Sequence, residues 1–211
     1  MVSTRFLVFT GADGSGKSTL ARFAVNELHR RGVRASLVWS RFNNYLSKPL
    51  LALARLTGHS YYETHGGVRF GYHDFEAVPF YRYLFVMLQA VDVNMAMAFH
   101  LRLRHRKGEA LVFDRGPWDT LADVMVDTGW SGLAESRWGQ LFPTQIQNRS
   151  LVIFVSRRRE EILKTRPELV HDTKLARKIG IYEHLARVHG WRQLDNNQPL
   201  ALVKQELQER F

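Results

Sequence analysis

Gly11, Ala12, Asp13, Gly14, Ser15, Gly16, Lys17, Ser18 and Thr19 run in one stretch, GADGSGKST, that fits the pattern G-x-x-x-x-G-K-[ST]. This stretch constrains the chain to a strand–loop–helix unit. Its glycines allow backbone conformations closed to residues with a Cβ, so successive N–H groups can turn inward towards an anion. The flanks agree with that reading. Residues 6–9 are a short apolar run of the buried-strand type, and Leu20, Phe23, Ala24 and Leu28 then recur at helical spacing, with Gly32 as the stop. The chemistry is the binding of a nucleoside triphosphate. Lys17 would supply a mobile point charge for the β- and γ-phosphates, the Ser18 hydroxyl a magnesium ligand, and the helix its positive dipole end. ATP and Mg2+ are the expected cofactors.

Beyond the loop, strand-like and helix-like segments alternate, which implies a parallel sheet covered by helices. Strands are expected at residues 35–39, 110–113, 151–155 and 191–194. Helices are expected at 45–56, 80–106, from Pro117 onward, at 160–165, at 175–190 and from Pro199. The helix at 80–106 is apolar all round and reads as buried between layers. Residues 58–79 are rich in turn residues, aromatics and histidines without a clean period, and read as a long functional loop.

With 211 residues, 45% of them apolar, the chain can build one sizeable core. No uninterrupted apolar run reaches the length of a membrane span, and Arg5 and the glycine-rich loop stand where a secretory pattern would lie, so a cytoplasmic protein without a membrane partner is expected. The absence of cysteine excludes disulfides, thiolate catalysis and cysteine-bound zinc. A net charge of +10 is compatible with nucleic acid, an anionic membrane or small phosphorylated substrates. Part of it is local: the basic cluster at 100–107 ends a predicted helix, and Arg157, Arg158 and Arg159 follow a predicted strand where a phosphate could reach.

Asp114 and Arg115 close the third predicted strand. An acidic residue there can position magnesium or its waters, or simply form a salt bridge with a surface base. Arg115 beside it is a bidentate phosphate binder, which points to a second phosphorylated substrate rather than to the activation of water.

The glycine-rich stretch, Arg41-Phe42 after the second strand, Asp114-Arg115 after the third, the basic break after the fourth and Leu194-Asp195-Asn196-Asn197 before the last helix together resemble the thymidylate kinase family over nearly the whole chain. The resemblance implies an α/β fold, a P-loop kinase three-layer sandwich with a five-stranded parallel sheet, helices on both faces and a small lid. Residues 1–211 would form one domain, mobile on the acceptor side at 41–80, with the lid at 157–173. It implies magnesium-dependent transfer of the ATP γ-phosphoryl group to a deoxynucleoside monophosphate, usually dTMP, and often a homodimer, for which the long helix would offer a face. Residue by residue, Asp13 would approach the acceptor's sugar, and Arg41 and Arg115 would hold its phosphate. Lys17 would stabilise charge on the transferring group, Ser18 and Asp114 would hold magnesium, and Lys164 or Arg166 would lie in the lid. Some members carry an arginine at the position of Gly14; here a lid donor is expected instead, Arg166 or one of Arg157, Arg158 and Arg159, and such an arginine finger is worth roughly 10³ to 10⁵ in rate.

The chain departs from the family on the acceptor side. An arginine expected in the long helix falls near Val93, so that Arg69 or Arg82 would have to replace it, and Gly116 stands where the family has Tyr, Trp or His. Tyr61, Tyr62, Phe70, Tyr72 and Phe75 could stack on a planar acceptor or pack internally. Two other readings follow: a phosphotransferase acting on a nucleoside or small alcohol, with Asp13 or Asp114 as base, and an ATP-binding regulatory or nucleic-acid-associated protein. The lack of an Asp-Glu pair at the third strand opposes the last, and nucleic acid is not an expected partner.

Overall fold

The computed structural model describes residues 6–40, 44–104 and 109–209. In chain order the elements are β1 (Phe6–Thr10), α1 (Lys17–Arg30), β2 (Ala35–Trp39), α2 (Lys48–Leu56), β3 (Ser60–His65), β4 (Val68–His73), α3 (Pro79–Arg104), β5 (Ala110–Asp114), α4 (Pro117–Thr128), α5 (Arg137–Gln140), β6 (Ser150–Ser156), α6 (Arg159–Thr165), α7 (Leu175–His189), β7 (Arg192–Asp195) and α8 (Leu200–Gln208). Five strands form one parallel sheet in the order β2-β5-β1-β6-β7. The fold is therefore α/β, with a five-stranded parallel sheet flanked by helices.

Alternation along the strands explains the two helical layers. Leu7, Phe9, Val112, Ile153 and Val155 point to one face and pack with Leu20, Ala21 and Ala24 of α1 and Val203 and Leu207 of α8. Phe6, Val8, Leu111, Phe113 and Val152 point to the other, against Met97 of α3 and Trp118 of α4. Each Val, Leu, Ile, Phe or Met side chain so buried contributes about 1.5–3 kcal/mol. Register then places the functional ends together: Phe9 lies beside Asp114, Trp39 beside Asp114 on its other side, and Ser156 beside Asp195. The connections leaving β1 and β6 run in opposite directions across the sheet, which opens a crevice at their C-terminal ends, where α/β sheets bind ligands.

Three expectations are corrected. Residues 58–79 are not a long loop: β3 and β4 form an antiparallel hairpin in which His65 faces Val68. The two residues between them, Gly66 and Gly67, have φ of 57° and 80°, the conformation that a two-residue hairpin turn of right-handed twist requires. The second helix starts at Lys48 rather than at residue 45, because Asp92 draws the preceding segment out of helix. Its carboxylate accepts the N–H groups of Tyr45 (3.0 Å), Leu46 (2.7 Å) and Ser47 (3.0 Å) and the Ser47 hydroxyl.

The long helix α3 is not buried on all sides. Tyr81, Phe85, Val86, Ala90, Val93, Ala96 and Met97 face the core, but Phe80, Tyr83, Met87, Val91, Met95, Phe99 and Leu103 form an exposed ridge at intervals of three or four residues. By length and composition alone α3 is also apolar enough to cross a membrane from Pro79–Leu103, yet 44% of an 18-residue apolar window within it is buried against the rest of the chain.

Candidate functional site

The stretch at residues 11–19 leaves β1 at the centre of the sheet and turns into α1. Gly11, Gly14 and Gly16 have φ of 146°, 78° and 99°, all disfavoured for residues with a Cβ. Space is restrictive at all three, a Cβ on Gly16 meeting the Asn196 side chain. A Cβ on Gly11 would lie 2.5 Å from the carbonyl oxygen of Val155, and one on Gly14 would lie 2.8 Å from the Ile162 side chain. Lys17 is buried and folded back over the loop, donating to the carbonyls of Gly11 and Ala12 at 2.6 Å each. Ser18 and Thr19 are exposed at the start of α1. Asn196, whose role no motif announced, donates from Nδ2 to the Ser15 carbonyl (2.7 Å) and from its backbone N–H to Ser156 (2.9 Å), tying the loop to the end of β7.

Beside this loop, β5 ends in Asp114 and Arg115. Asp114 is buried, its Oδ1 makes no hydrogen bond, and no ion pair to it is found among the described residues, so the salt-bridge reading finds no partner. Arg115 adopts a left-handed φ of 75°, uncommon for a residue with a side chain and of the kind that concentrates at functional sites. Its guanidinium donates to Asp13 and lies 3.8 Å from Asp119 Oδ1. Asp119 in turn accepts the Gly116 N–H (2.8 Å) and the Tyr182 hydroxyl (2.9 Å). Burial disfavours the charged form of Arg115, but Asp13 and Asp119 outweigh it and hold the guanidinium firmly protonated. Burial also pushes the Asp119 carboxyl up, against the pull of Arg115 and Lys17. Lys178 of α7 approaches the same centre, 3.9 Å from Asp13 and 3.8 Å from Asp172.

Among the sequence candidates, Asp13, Ser18, Arg69, Arg115 and Arg166 line one cleft of about 640 Å³, whereas Lys17 and Asp114 are buried behind its lining. Gln89, Asp123, Asp127 and Lys174 add to its walls. Arg41, the expected partner of Arg115, lies outside the described residues. Arg166 is exposed and salt-bridged to Glu168; Lys164 pairs with Glu161 at 2.6 Å away from the cleft lining. Arg157 donates to the Gly14 carbonyl at 3.1 Å, whereas Arg158 and Arg159 begin α6. A smaller cavity of about 420 Å³, lined by Ala12, Ser156, Arg157, Asp195 and Asn197, lies at the ends of β6 and β7.

On the acceptor side, Val93 is buried in the core, and its neighbours Gln89 and Asp92 are occupied with Asn44 and Ser47. Arg82 lies over Trp130 with its Cζ 5.3 Å from the ring and is not part of the cleft wall; Arg69 is. Of the aromatics, Phe70, Tyr72 and Phe75 are buried, and Tyr61 and Tyr62 are exposed.

Among the described residues no three His, Cys, Asp or Glu side chains cluster to hold a metal alone. The orphaned Asp114 oxygen and the exposed Ser18 hydroxyl fit magnesium, which takes few protein ligands and completes its shell with phosphate oxygens and water.

His73, also on the cleft wall, is held below its ordinary value of 6.5 by burial and by Lys174 and Arg55, against the opposing pull of Asp127. The unfolded chain therefore binds a proton there that the folded chain does not, so stability rises as pH climbs towards 6.5. Melting temperature measured across pH 5–7 is expected to show this slope and His73→Gln to flatten it; an unchanged slope contradicts the assignment.

Compared with known proteins, the chain matches no protein-family model and no curated protein is significantly similar to it.

Proposed function

We propose that this chain is an ATP-dependent nucleoside monophosphate kinase, similar to thymidylate kinases. The observation that carries the reading is the convergence of Asp13 and Ser18 of the glycine-rich loop with Arg115 on one cleft, with Asp114 next to Arg115 at the C-terminal end of β5 in a parallel sheet. On this reading residues 11–19 are the phosphate loop of a P-loop kinase fold, and residues 157–173 are its lid.

The reaction is an in-line displacement. An acceptor oxygen attacks the γ-phosphorus, the bond to the β–γ bridging oxygen breaks, and its electron pair leaves on ADP. Lys17 exchanges the carbonyls of Gly11 and Ala12 for phosphate oxygens and stabilises the charge they carry. Ser18 and Asp114 would hold magnesium, which would supply neutralisation of the charge on the transferring phosphate. Asp13 and Asp119 fix the Arg115 guanidinium on the cleft wall, and Arg166, which lines the cleft, is the lid cation that would turn from Glu168 to the phosphates. A monophosphate acceptor brings an ionised oxygen and needs no base.

The neutralisation of Arg115 by Asp13 favours one second reading, transfer to an alcohol with Asp13 as base. Steady-state ADP formation with a panel of nucleoside monophosphates and matched nucleosides separates the two. Stimulation by monophosphates is expected; stimulation by nucleosides alone would transfer the assignment to the alcohol, and ATP binding without any stimulation would oppose both.

The exposed ridge of α3 has a partner in this reading, a second copy of the chain. Its i±4 geometry suits crossing of two such helices at about −50°. Sedimentation is expected to give a dimer that Met95→Lys dissociates; a monomeric wild type contradicts it.

A further inference from the structure

The cations on the cleft wall are not equally committed. Arg115 is paired with Asp13 and Asp119, Lys174 with Asp127 at 2.7 Å, and Arg166 with Glu168. Lys178 lies between Asp13 and Asp172. Arg55 and Arg69 line the same cleft, and neither has a carboxylate within 4.0 Å among the described residues. Both rest instead on Tyr62. The guanidinium carbon of Arg69 is 3.7 Å from the ring centre and that of Arg55 is 4.9 Å from it, and Arg55 donates to the Tyr62 hydroxyl at 2.9 Å.

The backbone builds this arrangement. Tyr62 of β3 faces Gly71 of β4, and a Cβ on Gly71 would stand 3.1 Å from the Tyr62 ring, so the ring lies over strand backbone that carries no side chain. Arg69, two residues from Gly71, projects from the same face of the hairpin. Arg55 arrives from α2, which Asp92 anchors at its start. Two guanidinium groups are thus held against one ring by two separate elements. Like charges so placed repel one another, and an oxyanion received between them turns that repulsion into two charge-assisted, bidentate contacts.

We propose that Arg55, Tyr62 and Arg69 form a docking site for the phosphate group of a phosphate monoester entering this cleft, which makes the chain selective for acceptors that carry an anion. Its service as an acceptor site rests on the kinase reading; its capacity to bind the anion does not. Two of its three side chains, Tyr62 and Arg69, lie on the β3–β4 hairpin, and the third, Arg55, on α2.

Calorimetric titration of the full chain with phenyl phosphate tests the site directly. Wild type is expected to bind, as is Arg30→Ala, which removes an exposed cation at the far end of α1. The double variant Arg55→Ala/Arg69→Ala is expected to raise Kd by about tenfold or more, and Arg55→Lys/Arg69→Lys to fall between, since charge is kept and the planar fork is lost. Equal affinity in the double alanine variant, or no binding by wild type, overturns the proposal. Benzoate serves as the carboxylate arm: if it binds more tightly than phenyl phosphate, with the same dependence on both arginines, the assignment to phosphate esters is overturned. Failure of the kinase reading looks different, as phenyl phosphate binding that depends on Arg55 and Arg69 in a protein forming no ADP.

Discussion

Lys17→Met is expected to lower phosphoryl transfer by about 10³-fold while leaving the chain folded. On the kinase reading the lysine would bring to the β- and γ-phosphates a charge that no other residue of the loop carries, and its Nζ already stands within the loop at the carbonyls of Gly11 and Ala12. Methionine keeps the length of the stem but none of the donors. Those two carbonyls lose a partner, at a cost of about 1–3 kcal/mol, which is within the stability of an ordinary domain. Turnover and thermal melting should therefore separate: a variant that melts within several degrees of wild type with turnover near zero supports the role of Lys17, and one retaining a tenth or more of wild-type turnover contradicts it.

Asp119→Ala is expected to cost about 3–5 kcal/mol of folding stability, the usual penalty for deleting one partner from a buried charged network. Three groups lose their acceptor or counter-ion together: the Gly116 N–H that opens α4, the Tyr182 hydroxyl of α7 and the Arg115 guanidinium. Asp119→Asn keeps the shape and one carbonyl acceptor and is expected to lose less, and Tyr182→Phe about 1 kcal/mol. Denaturant titration of the three variants gives the comparison. Asp119→Ala within about 1 kcal/mol of wild type would mean that the network contributes nothing measurable. Arg115 retains Asp13 in that variant but loses the second carboxylate beside its strained backbone, so turnover should fall beyond what the lost stability explains.

The central sheet and the loop were legible in the sequence because both rest on local signals. Residues 6–9, 110–113 and 151–155 are apolar runs bounded by turn residues, and the glycines at 11, 14 and 16 mark the backbone between β1 and α1. The hairpin was signalled too, by Gly66-Gly67 between His65 and Val68, but the histidines and aromatics around it obscured the alternation. Other features depend on residues distant in sequence. Asp92 shortens α2 across more than forty residues, and Asn196 reaches back to Ser15. Helical periodicity alone does not say whether a partner covers an apolar face, so the all-round apolar character of α3 read as burial when one ridge of it faces outward. The pairing of Arg115 with Asp13 and Asp119, rather than with a free substrate phosphate, is likewise a property of the folded chain.

The most direct test of the account follows the phosphorus itself. A mixture of the protein with ATP, magnesium and dTMP, observed by 31P NMR, is expected to show the β-phosphate resonance of a new nucleoside diphosphate growing in step with ADP, with Lys17→Met silent. Loss of ATP to orthophosphate alone, or no change in ATP with any nucleoside monophosphate added, would contradict the assignment of this chain as a nucleoside monophosphate kinase.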